Sequence, residues 1–336
     1  MVTLEDVARQ AGVSLATASR VLNGSTRQVG ASLRAKVELA AHQLGYRTNV
    51  AAQTLARGAS NVIGLVVHDL TDPYFAALAD GAMRVAESHE FMVMVGTTHR
   101  DPEREIAYVS TLNAQRVRAV LLTGSRVDDA GLTRRMRQEL DRYLQTGGRV
   151  ACVGQEALGV DTVVPGNREG AAGLARALAG LGHRRFAVLA GPERLLTARD
   201  RLEGFAGALA ELGLPAPQVV HGSFDRDGGH AAATEVSSDA TCVFAVNDVM
   251  AVGALASFRD RGVDVPGDVS VAGFDDISTL RDLVPQLTTV RLPLADMGAR
   301  AMELALTPRG DGADTEPRIE AVAGEVVLRE STRRLG

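Results

Sequence analysis

Tryptophan is absent from this 336-residue chain, aromatic residues make up 4% of it, and only two cysteines occur, Cys152 and Cys242. Two lone thiols in apolar surroundings exclude a disulfide scaffold and supply no metal-binding set, so each reads as a core residue. No apolar run reaches the roughly 18 residues needed to span a bilayer, and no membrane partner is expected. The start of the chain carries Glu5 and Asp6 and lacks an apolar signal-peptide segment, which makes the cytoplasm the expected location. Asn23-Gly24-Ser25 has the form of a glycosylation sequon and in that compartment is a turn. Also missing are a GxxxxGK phosphate loop, a GxGxxG turn, a GxSxG elbow and any Cys/His metal spacing, while the acidic residues form no motif that fixes a catalytic pair. Accordingly no enzyme, no catalytic residue, no metal and no cofactor are expected.

What is present is apolar residue content of 46%, enough in a chain of this length for two or three domains with buried cores. Charge is unevenly spread. Residues 1–60 hold seven Lys or Arg against three Asp or Glu, a balance of +4, so with −5 for the whole chain the remainder carries −9. A basic module on an acidic body fits nucleic-acid binding confined to one end.

Inside that basic module, Thr3 and Asp6 make a capping-box-like start, Leu4, Val7, Ala8 and Ala11 share one helical face, and Gly12 ends the helix. Ser14 is the natural cap of a second helix, with Ala18, Val21 and Leu22 inward and Leu15, Ala16, Thr17, Ser19 and Arg20 outward. A third helix, about Ser32 to Leu44, closes the core with Val37, Ala40, Ala41 and Leu44 and stops at Gly45. Two short helices joined by a Gly-containing turn are either a helical hairpin in a larger core or a helix-turn-helix, whose second helix enters the major groove of DNA. The short polar outer face and the basic charge favour the second.

From Asn61 strands and helices alternate. Apolar runs at Val62 to Val67, Phe91 to Val95, Ala119 to Leu122 and Val150 to Val153 are separated by helices near Tyr74 to Ser88, Glu103 to Ala114 and Leu132 to Gln145. After Pro165 the series restarts. Helices near Asn167 to Leu181, Thr197 to Leu212, Gly228 to Val236 and Asp248 to Arg261 separate strands near Phe186 to Ala190, Val219 to Gly222, Val243 to Val246 and Val269 to Phe274. These are doubly wound parallel sheets. Ligands of such sheets lie beyond the carboxyl ends of the strands. Polar and aromatic residues there are Asp69, Tyr74, Phe75, Thr197, Arg201, Phe224, Asn247, Asp248, Asp275 and Asp276. Asp248 reads as a capping residue and His183 as a turn residue. A mixed-charge set with an aromatic wall suits a hydroxyl-rich or planar polar ligand, because each buried donor or acceptor left unpaired costs about 1 to 3 kcal/mol.

Val7-Ala8, Ala11-Gly12-Val13-Ser14, Ala16-Thr17-Ala18-Ser19-Arg20-Val21-Leu22-Asn23 and Gly45-Tyr46 resemble the N-terminal signature of the lac-repressor (LacI/GalR) family of bacterial transcription regulators. Asp72-Pro73-Tyr74-Phe75, Gly182-His183-Arg184-Arg185, Arg201-Leu-Glu-Gly204-Phe205, Asn247-Asp248, Val265-Pro266, Gly273-Phe274-Asp275-Asp276, Leu287-Thr288-Thr289-Val290 and Leu328-Arg329-Glu330-Ser331-Thr332 continue the resemblance in the family's order. It implies a helix-turn-helix domain over residues 1–45, a hinge helix or linker over 46–60, and a two-lobed, periplasmic-binding-protein-like effector and dimerisation domain over 61–336, whose segment from Leu287 to Leu328 crosses back to complete the edge of the first lobe. It further implies a homodimer, joined in part along Tyr74 to Ser88, on a near-palindromic DNA operator. Thr3, Ser14, Leu15, Ala16, Thr17, Ser19, Arg20 and Asn23 form the implied DNA-binding set, with Leu55 as a minor-groove wedge. Asp69, Tyr74, Phe75, Thr197, Arg201, Phe224, Asn247 and Asp275 form the implied effector set, Arg201, Asn247 and Asp275 falling where members contact a sugar, a sugar phosphate or sometimes a purine. Thr48 stands where the family often has Pro, and Gly166 where an Asp often precedes Asn167. Leu195 occupies a position that some purine-binding members fill with Arg, which weighs against a purine. The expected protein is a sugar-responsive regulator, most simply a repressor; the alternatives are a purine-responsive member and a sugar carrier with no DNA role.

Overall fold

The computed structural model describes residues 2–22, 29–46, 60–308 and 316–335, and the chain divides into two compact units at residues 61 and 62. Asn23, Leu55 and the hinge segment between residues 46 and 60 lie outside the described residues.

The first unit contains α1 (Leu4–Ala11), α2 (Leu15–Leu22) and α3 (Ala31–Gln43). The Thr3 hydroxyl accepts the Asp6 N–H at 3.3 Å while the Asp6 carboxylate accepts the Thr3 N–H at 3.0 Å, a reciprocal cap that satisfies two orphan donors. Gly12 ends α1 at φ 65, a left-handed conformation that glycine adopts at no steric cost. Two residues later the Ser14 hydroxyl accepts the Thr17 N–H at 3.1 Å and opens α2. Val7, Ala8, Ala18, Val21, Val37, Ala40 and Ala41 form the buried core between the three helices.

The second unit has two lobes. In the first lobe, β1 (Val62–Val67), β2 (Met92–Thr97), β3 (Ala119–Thr123), β4 (Val150–Val153), β5 (Asp161–Pro165) and β11 (Ile319–Val322) form one parallel sheet in the order β11-β5-β4-β3-β1-β2. It is covered by α4 (Pro73–Ser88), α5 (Pro102–Ala114), α6 (Ala130–Gln145) and α11 (Leu294–Leu306). In the second lobe, β6 (Phe186–Ala190), β7 (Gln218–His221), β8 (Cys242–Ala245) and β9 (Ser270–Ala272) form a parallel sheet in the order β7-β6-β8-β9. Its helices are α7 (Asn167–Gly180), α8 (Leu196–Glu211), α9 (Arg226–Ala233) and α10 (Asp248–Asp260). A two-stranded antiparallel ribbon, β10 (Thr289–Arg291) with β12 (Glu325–Val327), completes the unit.

One device recurs after the strands: an Asp or Asn accepts the first free amides of the next helix. Asp72, Asp101, Asp129, Asp225 and Asn247 cap α4, α5, α6, α9 and α10, and removing such a cap costs about 1 kcal/mol. Helices α4 and α11 approach so closely that a Cβ on Gly81 would collide with the Ala295 carbonyl and one on Gly298 with that of Leu78. The crossing therefore tolerates no side chain at either position. As expected, the segment after Leu287 returns to the first lobe, where β11 pairs with β5. Strand β5 is additional to the expected series, and β9 is shorter than the expected Val269 to Phe274.

Candidate functional site

The first candidate is the outer face of α2. Ser14, Leu15, Ala16 and Arg20 are exposed and Thr17 and Ser19 part-exposed, while Ala18 and Val21 turn inward. Leu15 leaves 46% of its surface open, which burial alone would not select at the first position of a helix. No acidic residue lies in the first turn of α2 and Arg20 lies in its last, so the face carries no charge that would repel phosphate. Thr3, exposed, is occupied as the cap of α1.

The second candidate is the cleft between the two lobes, to which nearly every strand of both sheets sends residues from its carboxyl end. From the first lobe come His68, Arg100, Ser125 and Gly154, together with Asp72, Tyr74 and Phe75 at the start of α4. Asn167, Thr197, Arg201, Phe224, Asn247 and Asp275 line it from the second. Seven of the eight expected effector residues thus converge. Asp69 is the exception: its carboxylate accepts the Thr71 amide at 2.8 Å and hydroxyl at 2.7 Å, closing a turn outside the cleft lining.

Arg201 organises the floor. It is 2% exposed, and its guanidinium donates from Nε to Asn167 Oδ1 at 2.9 Å, to the Val246 carbonyl at 2.7 Å and to Asp275 Oδ1 at 2.7 Å. Phe274 stacks beneath it, 3.9 Å from ring centroid to guanidinium carbon. Burial pushes the Asp275 carboxyl up to about 6, against the lowering effect of the Arg201 charge. Asn247 spends its side-chain oxygen on the Met250 amide at 2.8 Å, which leaves its amide group as a donor. Asp248 points away from the cleft as a brace, accepting the Thr289 hydroxyl at 2.7 Å and the Ile277 amide at 3.0 Å. His183 is likewise structural, bonded to Thr241 and to the Arg333 carbonyl.

His68, Asp72, Arg100 and Asn167 are lining residues that the sequence reading passed over. Arg100 takes φ 60, a conformation rare for side-chain-bearing residues and enriched at functional sites. It reaches across to the Phe224 ring at 5.7 Å and faces Asp72 at 3.7 Å. The signal that marks it is the same carboxyl-end rule, applied to the stretch after β2.

His68 lies in the wall, its Nδ1 3.0 Å from the Thr98 hydroxyl and its Nε2 3.3 Å from the Ser125 carbonyl. A carbonyl only accepts, so Nε2 carries the proton and Nδ1 accepts from Thr98. Burial, with the Arg126 and Arg100 charges adding to it, lowers the imidazole to about 4 from 6.5. Since the unfolded chain takes up this proton first, His68 contributes stability above pH 6.5 that is lost as pH falls towards 4. Between pH 7 and 4.5 that loss is on the order of 2–3 kcal/mol. Denaturant unfolding of His68→Gln should show a correspondingly flatter acid limb; equal pH slopes in variant and wild type would contradict a buried neutral imidazole.

The model of bacterial regulatory proteins of the lacI family matches residues 3–49, and that of the periplasmic binding protein-like domain matches residues 175–332. The HTH-type transcriptional regulator GalS of Salmonella typhimurium is 39% identical over 321 residues, 91% of this chain and 89% of that protein. Among solved structures, the lac repressor dimer bound to operator and the anti-inducer ONPF aligns over 99% of both chains at 25% identity with a TM-score of 0.82. The complex of the transcriptional regulator CelR with cellobiose covers 98% of this chain and all of its own at 30% identity, TM-score 0.69.

Proposed function

Because this chain belongs to the lacI family of bacterial regulatory proteins, we propose that it represses transcription as a homodimer on a near-palindromic operator and releases or tightens that grip when a neutral sugar enters its cleft. It is a DNA-binding transcriptional regulator responsive to a ligand, and no catalytic step is assigned to it. Its place of action is where the DNA is, in the cytoplasm. Helix α2 lies in the major groove, with Leu15, Ala16 and Arg20 towards the base edges and Ser14, Thr17 and Ser19 towards phosphates. Among the described residues no helix is long and apolar enough to cross a membrane.

The observation that carries the effector class is the charge balance of the cleft. Its two arginines each face an acid, Arg201 against Asp275 at 2.7 Å and Arg100 against Asp72 at 3.7 Å. Among the described residues lining the cleft both guanidinium groups are already matched by an acid, which disfavours a phosphate, whereas hydroxyl groups pair with both partners of such ion pairs at once. Tyr74, Phe75 and Phe224 add aromatic surface to the lining, as a sugar-binding cleft does. Leu195, which lines the cleft, gives a purine no fork to bind. Dimerisation is supported by Met83 of α4 and Met92, Met94 and Val95 of the edge strand β2, all exposed; bare apolar edges ask for a partner, and flexible methionines adapt to one.

Selection of bound duplexes from a random pool tests the DNA reading. Wild type should enrich a near-palindrome. Arg20→Ala should lose about 1–3 kcal/mol of discrimination at one base pair per half-site, where the guanidinium forks onto guanine. Unchanged selectivity in the variant would remove Arg20 from base readout.

A further inference from the structure

The lobes of the second unit are fastened to each other at the cleft wall, and the fastening is segregated by charge. Residues 125–129, which follow β3 in the first lobe, run antiparallel to residues 194–197, which follow β6 in the second. Val127 and Leu195 form an isolated β-bridge, with the Asp128 amide donating to the Arg194 carbonyl at 2.7 Å and the Leu196 amide to the Arg126 carbonyl at 3.0 Å. The Thr197 amide donates to the Ser125 hydroxyl at 3.0 Å. Gln155 straddles the seam, accepting the Arg126 amide at 2.9 Å and donating to the Thr197 hydroxyl at 2.8 Å. Outside this strip two ion pairs cross between lobes, Arg194 with Asp129 at 2.6 Å and Arg199 with Asp128 at 2.7 Å.

Both acids belong to the first lobe and both arginines to the second. Parted lobes would leave Asp128, Asp129 and Arg194 without these partners, and Arg199 facing Glu203, 4.0 Å away on its own helix. The strip is also part of the cleft, since Ser125, Leu195 and Thr197 line it. The closed cleft has a free volume of about 30 Å³, room for about two waters. The strip forms part of the wall around this space, so opening it widens the way in for a ligand.

We propose that residues 125–129 and 194–199 form an ionic clasp whose two cross-lobe pairs set how readily the cleft opens, making access to it depend on ionic strength even for an uncharged ligand. Arg194, Arg199, Asp128 and Asp129 lie outside the cleft lining and act as positioning residues. The pairs are solvent-accessible, Arg194 and Asp129 at 64% and 32% and Arg199 and Asp128 at 41% and 61% side-chain exposure, and salt at 1 M shortens the screening length to about 3 Å. High salt therefore weakens the pairs while leaving the main-chain bridge in place.

The test needs neither effector nor DNA, so its outcome is separable from the functional reading. Spin labels are attached through Gln138→Cys on α6 and Asp227→Cys on α9, exposed positions on opposite lobes, while Cys152 and Cys242 stay buried and unmodified. Full-length labelled chain is diluted into unlabelled chain so that distances within one protomer are read. At low salt a short distance should dominate, with a minor longer population beside it. A longer population should grow about three- to tenfold at 1 M salt, and to a similar extent at low salt in Arg194→Ala/Arg199→Ala, from two exposed pairs. The charge-swapped Asp128→Arg/Arg199→Asp protein should recover more of the short distance than either single swap. Distance distributions indifferent to salt and to all these substitutions would overturn the clasp.

Discussion

Replacing Arg201 by alanine is expected to lower the unfolding free energy of the two-lobed unit by about 3–5 kcal/mol, because it leaves a buried carboxylate without its partner. The guanidinium satisfies Asn167, the Val246 carbonyl and Asp275 together and rests on Phe274, so truncation orphans three acceptors and opens a void over an aromatic ring. In thermal unfolding this amounts to a fall on the order of 10 °C. Asp275 is 5% exposed and has no second cation within the floor cluster; its protonation, already favoured by burial, is the cheapest escape. The defect in Arg201→Ala should therefore be larger at pH 8 than at pH 5.5. Removing both charges in Arg201→Met/Asp275→Leu should recover part of the loss, as paired deletions of buried ions do. Equal stability of Arg201→Ala and wild type at pH 8 would show that Asp275 finds its charge balance elsewhere. The same arginine presents its network to the cleft, so a folded remnant of the variant should also fail to respond to sugar.

How much of this was legible beforehand follows from what each feature depends on. Local chemistry was readable: the Thr3–Asp6 cap, the Gly12 stop and the Ser14 start of α2 depend on side chains at most three residues apart, and the structure has each in place. The alternation of Val-rich runs with helices likewise placed β1, β4 and β6 at their observed ends. Strand β5 escaped because Asp161-Thr162-Val163-Val164-Pro165 looks like a loop. Its opening Asp161 is 3% exposed and paired with Arg318, 157 residues away, a partner no local pattern reveals. The cleft lies where strands end, yet that rule picks out Asp69 and misses its neighbour His68. An imidazole in an apolar run reads as core, and nothing local distinguishes a wall histidine from a filled interior; the Ser125 and Thr98 contacts that do so come from other strands. The clasp was invisible for the same reason, since Asp128 and Arg199 are 71 residues apart.

Deleting residues 1–58 is expected to abolish retention on operator DNA while leaving the two lobes able to bind sugar. The physical ground is the separation of labour: a basic N-terminal unit with its own buried core, and an acidic remainder that by itself repels phosphate. Phosphate contacts supply most of the sequence-independent affinity, so losing the basic unit should cost several orders of magnitude in operator affinity. Loss of sugar binding together with DNA binding would refute the modular reading. The most direct measurement is a titration of one selected near-palindromic duplex, and of a scrambled duplex, with the full chain and with the truncated chain, in the presence and absence of cellobiose, galactose or glucose. The full chain should prefer the selected duplex by at least tenfold, one of the neutral sugars should change that affinity by about five- to 150-fold, and the truncated chain should retain neither duplex. A full chain that binds both duplexes alike, or whose preference ignores every sugar, would contradict the account.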